Sequence, residues 1–164
     1  MRREPHGEDA EAFVMKPDQQ VVSKLERGTV LDHLRAGAAL RALRVLHLPA
    51  DRTVTIGINL ESPSLGRKDI IKIANYELTG DQAAKVALIS PDATPAIIRK
   101  FQGTGETKLK PPAAFKGLIK CPNPGCIVHE ERVQGSFVVE QDDPVSVRCE
   151  YCERSIGADQ FEFA

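Results

Sequence analysis

At residues 121–126 the chain reads Cys-Pro-Asn-Pro-Gly-Cys, and at residues 149–152 it reads Cys-Glu-Tyr-Cys. These are all four cysteines of the sequence, and they lie within its last 44 residues. Two short loops that each present two sulfurs can close a tetrahedron around zinc, which structural sites bind at about 2.3 Å. Proline and glycine suit the tight turn of the first loop. The pattern predicts one structural Zn²⁺ with four protein ligands and no open position for catalysis: Cys121, Cys126, Cys149 and Cys152.

Four cysteines could instead form two disulfides, or a redox pair at Cys149 and Cys152. The N-terminus lacks the apolar stretch of a signal peptide, so the chain is expected in the reducing cytoplasm, where disulfides are rare. A redox pair normally opens a helix after a strand, and here a second cysteine pair matches the first. Zinc is therefore favoured over both alternatives, which stay open at this point.

The composition limits the class of protein. The hydrophobic content of 41% and charged content of 27% are ordinary for a soluble globular protein. The apolar runs are shorter than the ~18 residues that a membrane-spanning helix requires. A net charge of −1 and 5% aromatic residues give neither the basic excess nor the stacking platforms of a nucleic-acid binder. Neither a membrane nor a nucleic acid is an expected partner.

The sequence divides into four segments. Residues 1–20 are polar and aperiodic and are predicted to be a disordered tail, in which Met15 is an alternative translation start. Residues 103–114 are rich in glycine, proline and polar residues, and are predicted to be a linker that few contacts cross. They separate a first domain, residues 21–102, from a zinc-binding domain, residues 115–164, which is too small to fold by apolar burial alone.

The first domain shows strand and helix patterns in the order βαββαβ. Strands are predicted at residues 21–25, at 29–34 after a bend at Gly28, and at 53–60, 68–74 and 94–101. This order is that of a ferredoxin-like fold, a sheet with both helices on one face. In the second domain, short strands are predicted at residues 117–121, 136–140 and 145–149. The predicted fold class is α+β, with a ferredoxin-like domain followed by a small all-β domain.

Two helices are predicted in the first domain. The first covers residues 38–47, and spacings of three and four place four residues on its inner face: Ala39, Leu40, Leu43 and Leu46. The second begins with a capping box at Thr79 and Gln82 and runs through Ile89. Its predicted inner face consists of Ala83, Val86, Ala87 and Leu88.

Three further stretches, together with the cysteine pairs, indicate a family. They read Arg-Gly-Thr-Val-Leu-Asp-His at 27–33, Thr-Ile-Gly-Ile-Asn-Leu at 55–60, and Gly-Arg-Lys-Asp-Ile-Ile-Lys-Ile at 66–73. In this order, from Val21 to the C-terminus, the chain resembles the regulatory chain of aspartate carbamoyltransferase. The resemblance implies a non-catalytic subunit of pyrimidine biosynthesis. Its allosteric domain would bind the effectors CTP and ATP, it would form a regulatory homodimer, and its zinc domain would dock on the catalytic chain.

The resemblance also implies a nucleotide site and a partner interface. Six residues match nucleotide-binding positions: Val22, Asp32, His33, Lys68, Lys72 and Ile98. Lys68 and Lys72 would share one strand face, about 13 Å apart at ~3.3 Å per residue, an arrangement that suits a triphosphate. Without the family match, this face would be interpreted as solvated surface. Four residues match the surface that contacts the catalytic chain: Asn123, Tyr151, Glu153 and Arg154.

The chain departs from the family pattern at several positions. Ala96 lies where the family generally has asparagine, and Glu106 lies at or near a lysine position, where its carboxylate would repel a triphosphate. Lys108, two residues further on, could take over that role. Phe101 keeps the aromatic character of its position, and Gly125 replaces a polar residue of the zinc loop. The effector that this chain binds is therefore open.

Three functions compete for this sequence. A regulatory subunit explains both domains. A zinc-ribbon assembly or adaptor protein, which binds a partner without sensing a nucleotide, would need no second domain with paired lysines on a strand face. An independent enzyme is least favoured, because the sequence shows no nucleophile with its base, no phosphate-binding loop and no open metal position.

Overall fold

The computed structural model describes residues 24–104 and 107–164. The first domain contains, in chain order, β1 Arg27–Arg35, α1 Ala39–Leu46, β2 Val54–Ser62, β3 Gly66–Ala74, α2 Gly80–Ile89, β4 Thr94–Arg99 and β5 Gln102–Thr104. The strands form one antiparallel sheet in the order β2-β3-β1-β4-β5. Both helices share a buried core with one face of this sheet. The predicted ferredoxin-like βαββαβ arrangement is confirmed, and β5 extends it at the edge.

The second domain is a small β structure, as predicted. Its elements are β6 Ala114–Lys116, β7 Ile119–Lys120, α3 Ile127–Glu130, β8 Ser136–Asp142, β9 Val145–Cys149, β10 Ser155–Gly157 and β11 Glu162–Phe163, with a 3₁₀ turn at Ala158–Gln160. Four strands form a sheet in the order β10-β9-β8-β6, and β11 pairs with β7. The strand predicted at 117–121 is shorter than expected and corresponds to β7, while β6 precedes it and Gly117, with a φ of 68°, lies between the two strands. The one-turn helix α3 was not predicted.

The start of the first domain differs from the prediction. Lys24 and Leu25, the two described residues of the strand predicted at 21–25, precede β1 and are not part of a strand, and residues 21–23 lie outside the described residues. Gly28 is not a bend between strands but part of β1, with a φ of 141°. A Cβ at this position would collide with the carbonyl oxygen of Ile73 on the neighbouring strand. Glycine therefore allows β1 and β3 to approach and pair.

The inner face of α1 also differs from the prediction. Leu40 is 54% exposed, whereas Ala39 and Ala42 are fully buried. Spacing rules favour large aliphatic residues for the inner face of a helix. Here the small alanines face the sheet and let the backbone of α1 approach it closely. The helix is rotated to bring them there, and this rotation turns Leu40 outward. Leu46 is buried as expected.

The start of α2 matches the prediction. The Thr79 side chain accepts from the Gln82 backbone at 3.2 Å, and Gln82 accepts from the Thr79 backbone at 3.0 Å. Val86, Ala87 and Leu88 are buried as predicted. Among the helices of residues 24–104 and 107–164, none combines the length and apolarity needed to cross a membrane.

Helix α2 packs against both domains. Val86 belongs to the core of the five-stranded sheet, but Leu88 is fully buried in the core of the second domain. The Lys85 ammonium donates to the Ala164 carbonyl at 2.6 Å, and Arg41 of α1 donates to the Ala158 carbonyl at 2.6 Å. These side chains connect the two domains, but no described helix or strand of the first domain makes extensive contact with one of the second, so the expectation that few contacts cross between the domains stays a prediction. Linker composition does not reveal that a second face of α2 is apolar.

Candidate functional site

Four cysteine sulfurs converge in the second domain. Their Sγ atoms all lie within 4.8 Å of one another. Cys121 and Cys152 are separated by 3.6 Å, and Cys126 and Cys149 by 3.9 Å. A tetrahedron with Zn–S bonds of 2.3 Å has S–S edges of about 3.8 Å, whereas a disulfide requires about 2.05 Å. The predicted four-thiolate zinc site is confirmed, and the disulfide alternative does not fit.

The loops position the sulfurs through backbone hydrogen bonds. Three sulfurs each accept from the N–H two residues further along the chain: Asn123 donates to Cys121, Val128 to Cys126 and Arg154 to Cys152. The Nε2 of His129 lies 2.9 Å from the Cys121 carbonyl oxygen and donates to it. His129 thus braces the first loop and is not a metal ligand.

The thiols require a cation to ionise together. Burial raises the pKa of Cys121 to about 12 and also raises the pKa of Cys126. Burial acts in the same direction on Cys152, but hydrogen bonds from the Arg154 backbone, the Asn123 side chain and neighbouring cysteines outweigh it and lower the pKa to about 6. One thiolate therefore forms readily, and a divalent cation supplies the charge that stabilises the others. The site suits one structural zinc ion.

Asn123, which is predicted to contact the catalytic chain, also connects the two zinc loops, a role that the sequence did not indicate. Its side-chain oxygen accepts from the Gly125 N–H at 3.2 Å, within the first loop. The same side chain hydrogen-bonds to Cys152 in the second loop. Asn123 therefore ties the two zinc loops together.

The remaining predicted partner residues lie on the surface next to the second cysteine pair. Tyr151, Glu153 and Arg154 are exposed, and the Tyr151 side chain is 46% exposed. Ile127, directly after Cys126, is 44% exposed and was not predicted. Hydropathy alone could not identify Ile127 as a surface residue, because an exposed isoleucine beside a zinc loop has the same hydropathy as one in the core.

The sheet face opposite the helices carries a cavity of about 270 Å³. It is lined by Val30, Asp32, His33, Ile70, Lys72, Thr94, Ala96 and Ile98. Lys72 on β3, Val30 on β1 and Ala96 on β4 lie side by side across the sheet. The cavity lining includes four predicted nucleotide residues: Asp32, His33, Lys72 and Ile98. Val30 and Thr94 were missed, although their strand positions share this face.

A bulge in β1 places Asp32 and His33 on the same side. The pairing of β1 with β3 shifts register between Leu31 and Leu34, and His33 has a φ of 55°. Neighbouring residues of a regular strand point to opposite faces, so the bulge is what lets both side chains line the cavity. A positive φ outside glycine is strained, and such strain concentrates at functional sites.

Lys68 is the internal partner of Asp32. Its ammonium lies 2.8 Å from Oδ1 and 3.0 Å from Oδ2, and the His33 N–H donates to Oδ1 at 2.6 Å. Burial acts to raise the pKa of Asp32, but the hydrogen bonds and charges of Lys68 and His33 lower it overall. Burial lowers the pKa of Lys72, against the charge of Asp32. The two lysines thus differ: Lys68 is neutralised by Asp32, and Lys72 lines the cavity.

Two of the residues considered with the departures from the family pattern, Ala96 and Lys108, line cavities at this face. Ala96 lines the cavity and presents a methyl group. Phe101 is 61% exposed in the turn between β4 and β5, with a φ of 64°. Lys108 lines an adjoining cavity of about 370 Å³, which shares His33 and Thr94 with the first one. Val22 and Glu106 lie outside the described residues.

A larger cavity, about 560 Å³, lies at the turn between β2 and β3. It is lined by Glu61, Ser62, Pro63, Gly66 and Arg67. It contains none of the predicted site residues and lacks the aliphatic walls of the cavity on the sheet. We therefore assign the candidate ligand site to the smaller cavity.

Comparisons with known proteins cover both domains. Residues 20–110 match the family model described as the allosteric domain of the aspartate carbamoyltransferase regulatory chain, and residues 114–162 match its metal-binding domain. The regulatory chain of Methanopyrus kandleri is 44% identical over 142 residues, which is 85% of this chain and 91% of the relative. That of Methanocaldococcus jannaschii is 44% identical over 143 residues, or 86% and 95% of the two chains. That of Methanothermobacter thermautotrophicus is 41% identical over 149 residues, or 90% and 96%.

These matches concern a regulatory subunit and not the catalytic one, so the chain is not an enzyme in its own right. The matched metal-binding domain coincides with the four-cysteine cluster. With both domains matched in order and over four fifths of the sequence aligned to each of these relatives, the chain belongs to the aspartate carbamoyltransferase regulatory chain family.

Proposed function

We propose that this regulatory chain binds CTP or ATP in the sheet cavity and thereby controls the catalytic chains of aspartate carbamoyltransferase. The observation that carries the proposal is the β1 bulge, which brings Asp32 and His33 together with Lys72 between aliphatic walls. Aliphatic side chains suit a base, an ionised carboxylate accepts from ribose hydroxyls, and cations attract phosphates. Ile98 supplies part of the apolar wall. Val22 would complete it, and Lys68 holds Asp32 in place.

The proposal includes the wider organisation of the assembly. Residues 21–102 form the nucleotide-binding domain, residues 103–114 connect it to the rest, and residues 115–164 form the zinc domain that docks on the catalytic chain. Two copies form a regulatory homodimer, and the assembly works in the cytoplasm. The surface beside the zinc loops supports the docking role: it combines Tyr151, Glu153, Arg154 and Asn123, and the metal makes its backbone rigid.

The experiment that tests the function is a calorimetric titration of the zinc-loaded chain with CTP and with ATP, alone and with the catalytic chain of the same organism. Saturable binding supports the regulatory proposal. Absence of binding, together with retained association with the catalytic chain, would instead favour the zinc-built assembly protein.

Lys72→Ala is expected to raise the dissociation constant for CTP or ATP about tenfold or more, because a hydrogen bond to a charged group contributes roughly 1.5–3 kcal/mol. The fold should be unchanged, since Lys72 lies on the sheet face opposite the helices. Calorimetry and circular dichroism measure the two effects. Lys116→Ala, at an exposed lysine of β6, is the matched control. Equal binding by the Lys72 variant and the parent would remove Lys72 from the site.

Tyr151→Ala is expected to weaken association with the catalytic chain about tenfold or more while zinc stays bound. Exposed aromatic residues on rigid loops often dominate interface energies, and Tyr151 lies between two zinc ligands. Surface plasmon resonance measures the association, and metal analysis confirms the zinc content. Phe101→Ala removes an exposed ring from the other domain and serves as control. An equal loss in both variants would contradict the assignment of Tyr151 to the interface.

A further inference from the structure

A series of side chains with alternating charge leads from the cavity of about 370 Å³, the second of the two cavities that His33 lines, to the zinc domain. The Lys108 ammonium lies 4.0 Å from Oδ1 of Asp92, and Oδ2 of Asp92 lies 3.2 Å from Nη2 of Arg35. The Arg35 guanidinium in turn donates to both carboxylate oxygens of Asp143, at 3.0 Å and 2.8 Å. We call these four residues, Lys108, Asp92, Arg35 and Asp143, the interdomain ion chain.

Arg35 joins the two domains at this point. It is the last residue of β1, two residues after His33, and its backbone N–H donates to the Ser90 hydroxyl at 3.1 Å. Asp143 lies in the turn between β8 and β9. A bidentate contact between arginine and a carboxylate is among the stronger hydrogen-bonded ion pairs. It raises the pKa of Arg35 and lowers that of Asp143.

The other end of the ion chain faces space suited to an anion. The cavity of about 370 Å³ is lined by His33, by Lys108 and by the Asp92 carboxylate that Lys108 and Arg35 offset, and it adjoins the cavity that contains Lys72. The Nδ1 of His33 is buried and forms no hydrogen bond with any residue that the structure describes. A nucleotide with its base against the sheet has room here for its phosphates.

We propose that the polyphosphate end of the nucleotide enters this second cavity, draws Lys108 away from Asp92, and thereby weakens the contact between Arg35 and Asp143. This inference rests on the proposed nucleotide function. Asp92 has two cationic neighbours in the structure, Lys108 and Arg35. When Lys108 turns to the phosphates, Asp92 attracts Arg35 more strongly. Because one nitrogen, Nη2, serves both carboxylates, a closer contact with Asp92 loosens the contact with Asp143.

The expected effect is modest because the ion chain is partly solvated. The side chains of Arg35 and Asp92 are both 39% exposed, that of Asp143 is 59% exposed and that of Lys108 is 71% exposed. Exposed ion pairs of this kind support a coupling of roughly two- to fivefold. Linkage requires that the same factor act in both directions. If the nucleotide loosens the domain contact, breaking the contact must tighten nucleotide binding.

The first test compares nucleotide affinities of full-length, zinc-loaded variants by calorimetry with ATP and CTP. Asp143→Asn should bind roughly two- to fivefold more tightly than the parent. The same substitution in a Lys108→Gln background should bring no gain over Lys108→Gln alone, because the gain acts through Lys108. Glu131→Gln, an equal charge change at an exposed residue of the same domain outside the cavity that Asp143 lines, is the matched control and should leave the affinity unchanged.

The second test needs no nucleotide. Lys108→Gln mimics the loss of Lys108 from Asp92, so hydrogen exchange of the backbone amides at the β8–β9 turn should be roughly two- to fivefold faster than in the parent. Lys116→Gln, at an exposed lysine of β6 outside the cavity that Lys108 lines, should leave this exchange unchanged.

The outcomes separate this inference from the function on which it rests. Nucleotide binding with equal affinity for the parent and Asp143→Asn would overturn the coupling and leave the nucleotide function standing. A gain that persists in the Lys108→Gln background, or unchanged exchange in Lys108→Gln, would also overturn it. Failure of every protein to bind either nucleotide would overturn both proposals.

Discussion

Cys149→Ser is expected to release the zinc ion and unfold the second domain. Cys149 is fully buried at the end of β9, where its sulfur lies 3.9 Å from that of Cys126. A serine hydroxyl is a poor zinc ligand, and three remaining thiols retain the burial that opposes their ionisation. Metal binding contributes on the order of 10 kcal/mol to the folding of small zinc modules. A domain of this size cannot replace that contribution by apolar burial.

The first domain should stay folded in Cys149→Ser but become less stable. Leu88 of α2 is fully buried in the core that the variant loses. Exposing such a side chain costs about 1.5–3 kcal/mol. Faster hydrogen exchange is therefore expected along α2, whereas the core of Leu31, Ile71 and Ile73 should stay protected.

Metal analysis, circular dichroism and exchange mapping measure these effects. Tyr151→Ala is the matched control because it alters the same loop without removing a ligand, and it should retain one zinc ion. Unchanged zinc content and an unchanged spectrum in Cys149→Ser would refute the metal centre.

The sequence predicted the parts of both sites that depend on local spacing. The cysteine spacing led directly to the zinc tetrahedron, and the period of two along β3 placed Lys68 and Lys72 on one face. It could not show that Asp32 and His33 share that face, because they are adjacent in the chain. Only the register shift against β3 reveals the bulge, and that shift is a property of the paired strands.

Packing between distant elements accounts for the remaining errors. Leu40 was expected inside because it is large and correctly spaced, but the fit of α1 to the sheet favours Ala39 and Ala42 there. Leu88 was expected to face the first domain, but it packs into the second. A hydrophobic face predicts burial but does not identify the partner that buries it. The charged contact of Arg35 with Asp143 spans 108 positions and has no local sequence signal.

Asp69→Ala is expected to lower the free energy of unfolding by about 3–5 kcal/mol. The reason is that the variant leaves buried hydrogen-bond donors unsatisfied, and each such donor costs roughly 1–3 kcal/mol. The Asp69 carboxylate is fully buried and accepts three backbone hydrogen bonds. Oδ2 accepts from Gly37 at 2.9 Å and Ala39 at 3.0 Å, and Oδ1 accepts from Asn59 at 2.9 Å. Asp69 thus fastens two segments to β3: the start of α1 and the irregular part of β2. Urea unfolding followed by circular dichroism measures the loss.

The matching Asp69→Asn variant should fall between the parent and Asp69→Ala. The amide oxygen of the asparagine can still accept from Gly37 and Ala39. Its NH₂ group would then face the Asn59 N–H, and because both groups are donors they cannot form a hydrogen bond. Asp51→Ala, an exposed carboxylate with a 73% exposed side chain, should change stability by less than about 0.5 kcal/mol. A loss below about 1 kcal/mol in Asp69→Ala would mean that water or a rearranged loop satisfies the three donors.

The position of Asp69 also predicts a functional effect of the same variant. Asp69 follows Lys68 on β3, so the two side chains point to opposite faces of the sheet. Lys68 holds Asp32 at the candidate nucleotide cavity, while Asp69 fixes the strand that carries Lys68. Asp69→Ala should therefore weaken CTP or ATP binding even at temperatures where the protein stays folded, whereas Asp51→Ala should not. Unchanged affinity in folded Asp69→Ala would show that the cavity tolerates movement of β3 against β2.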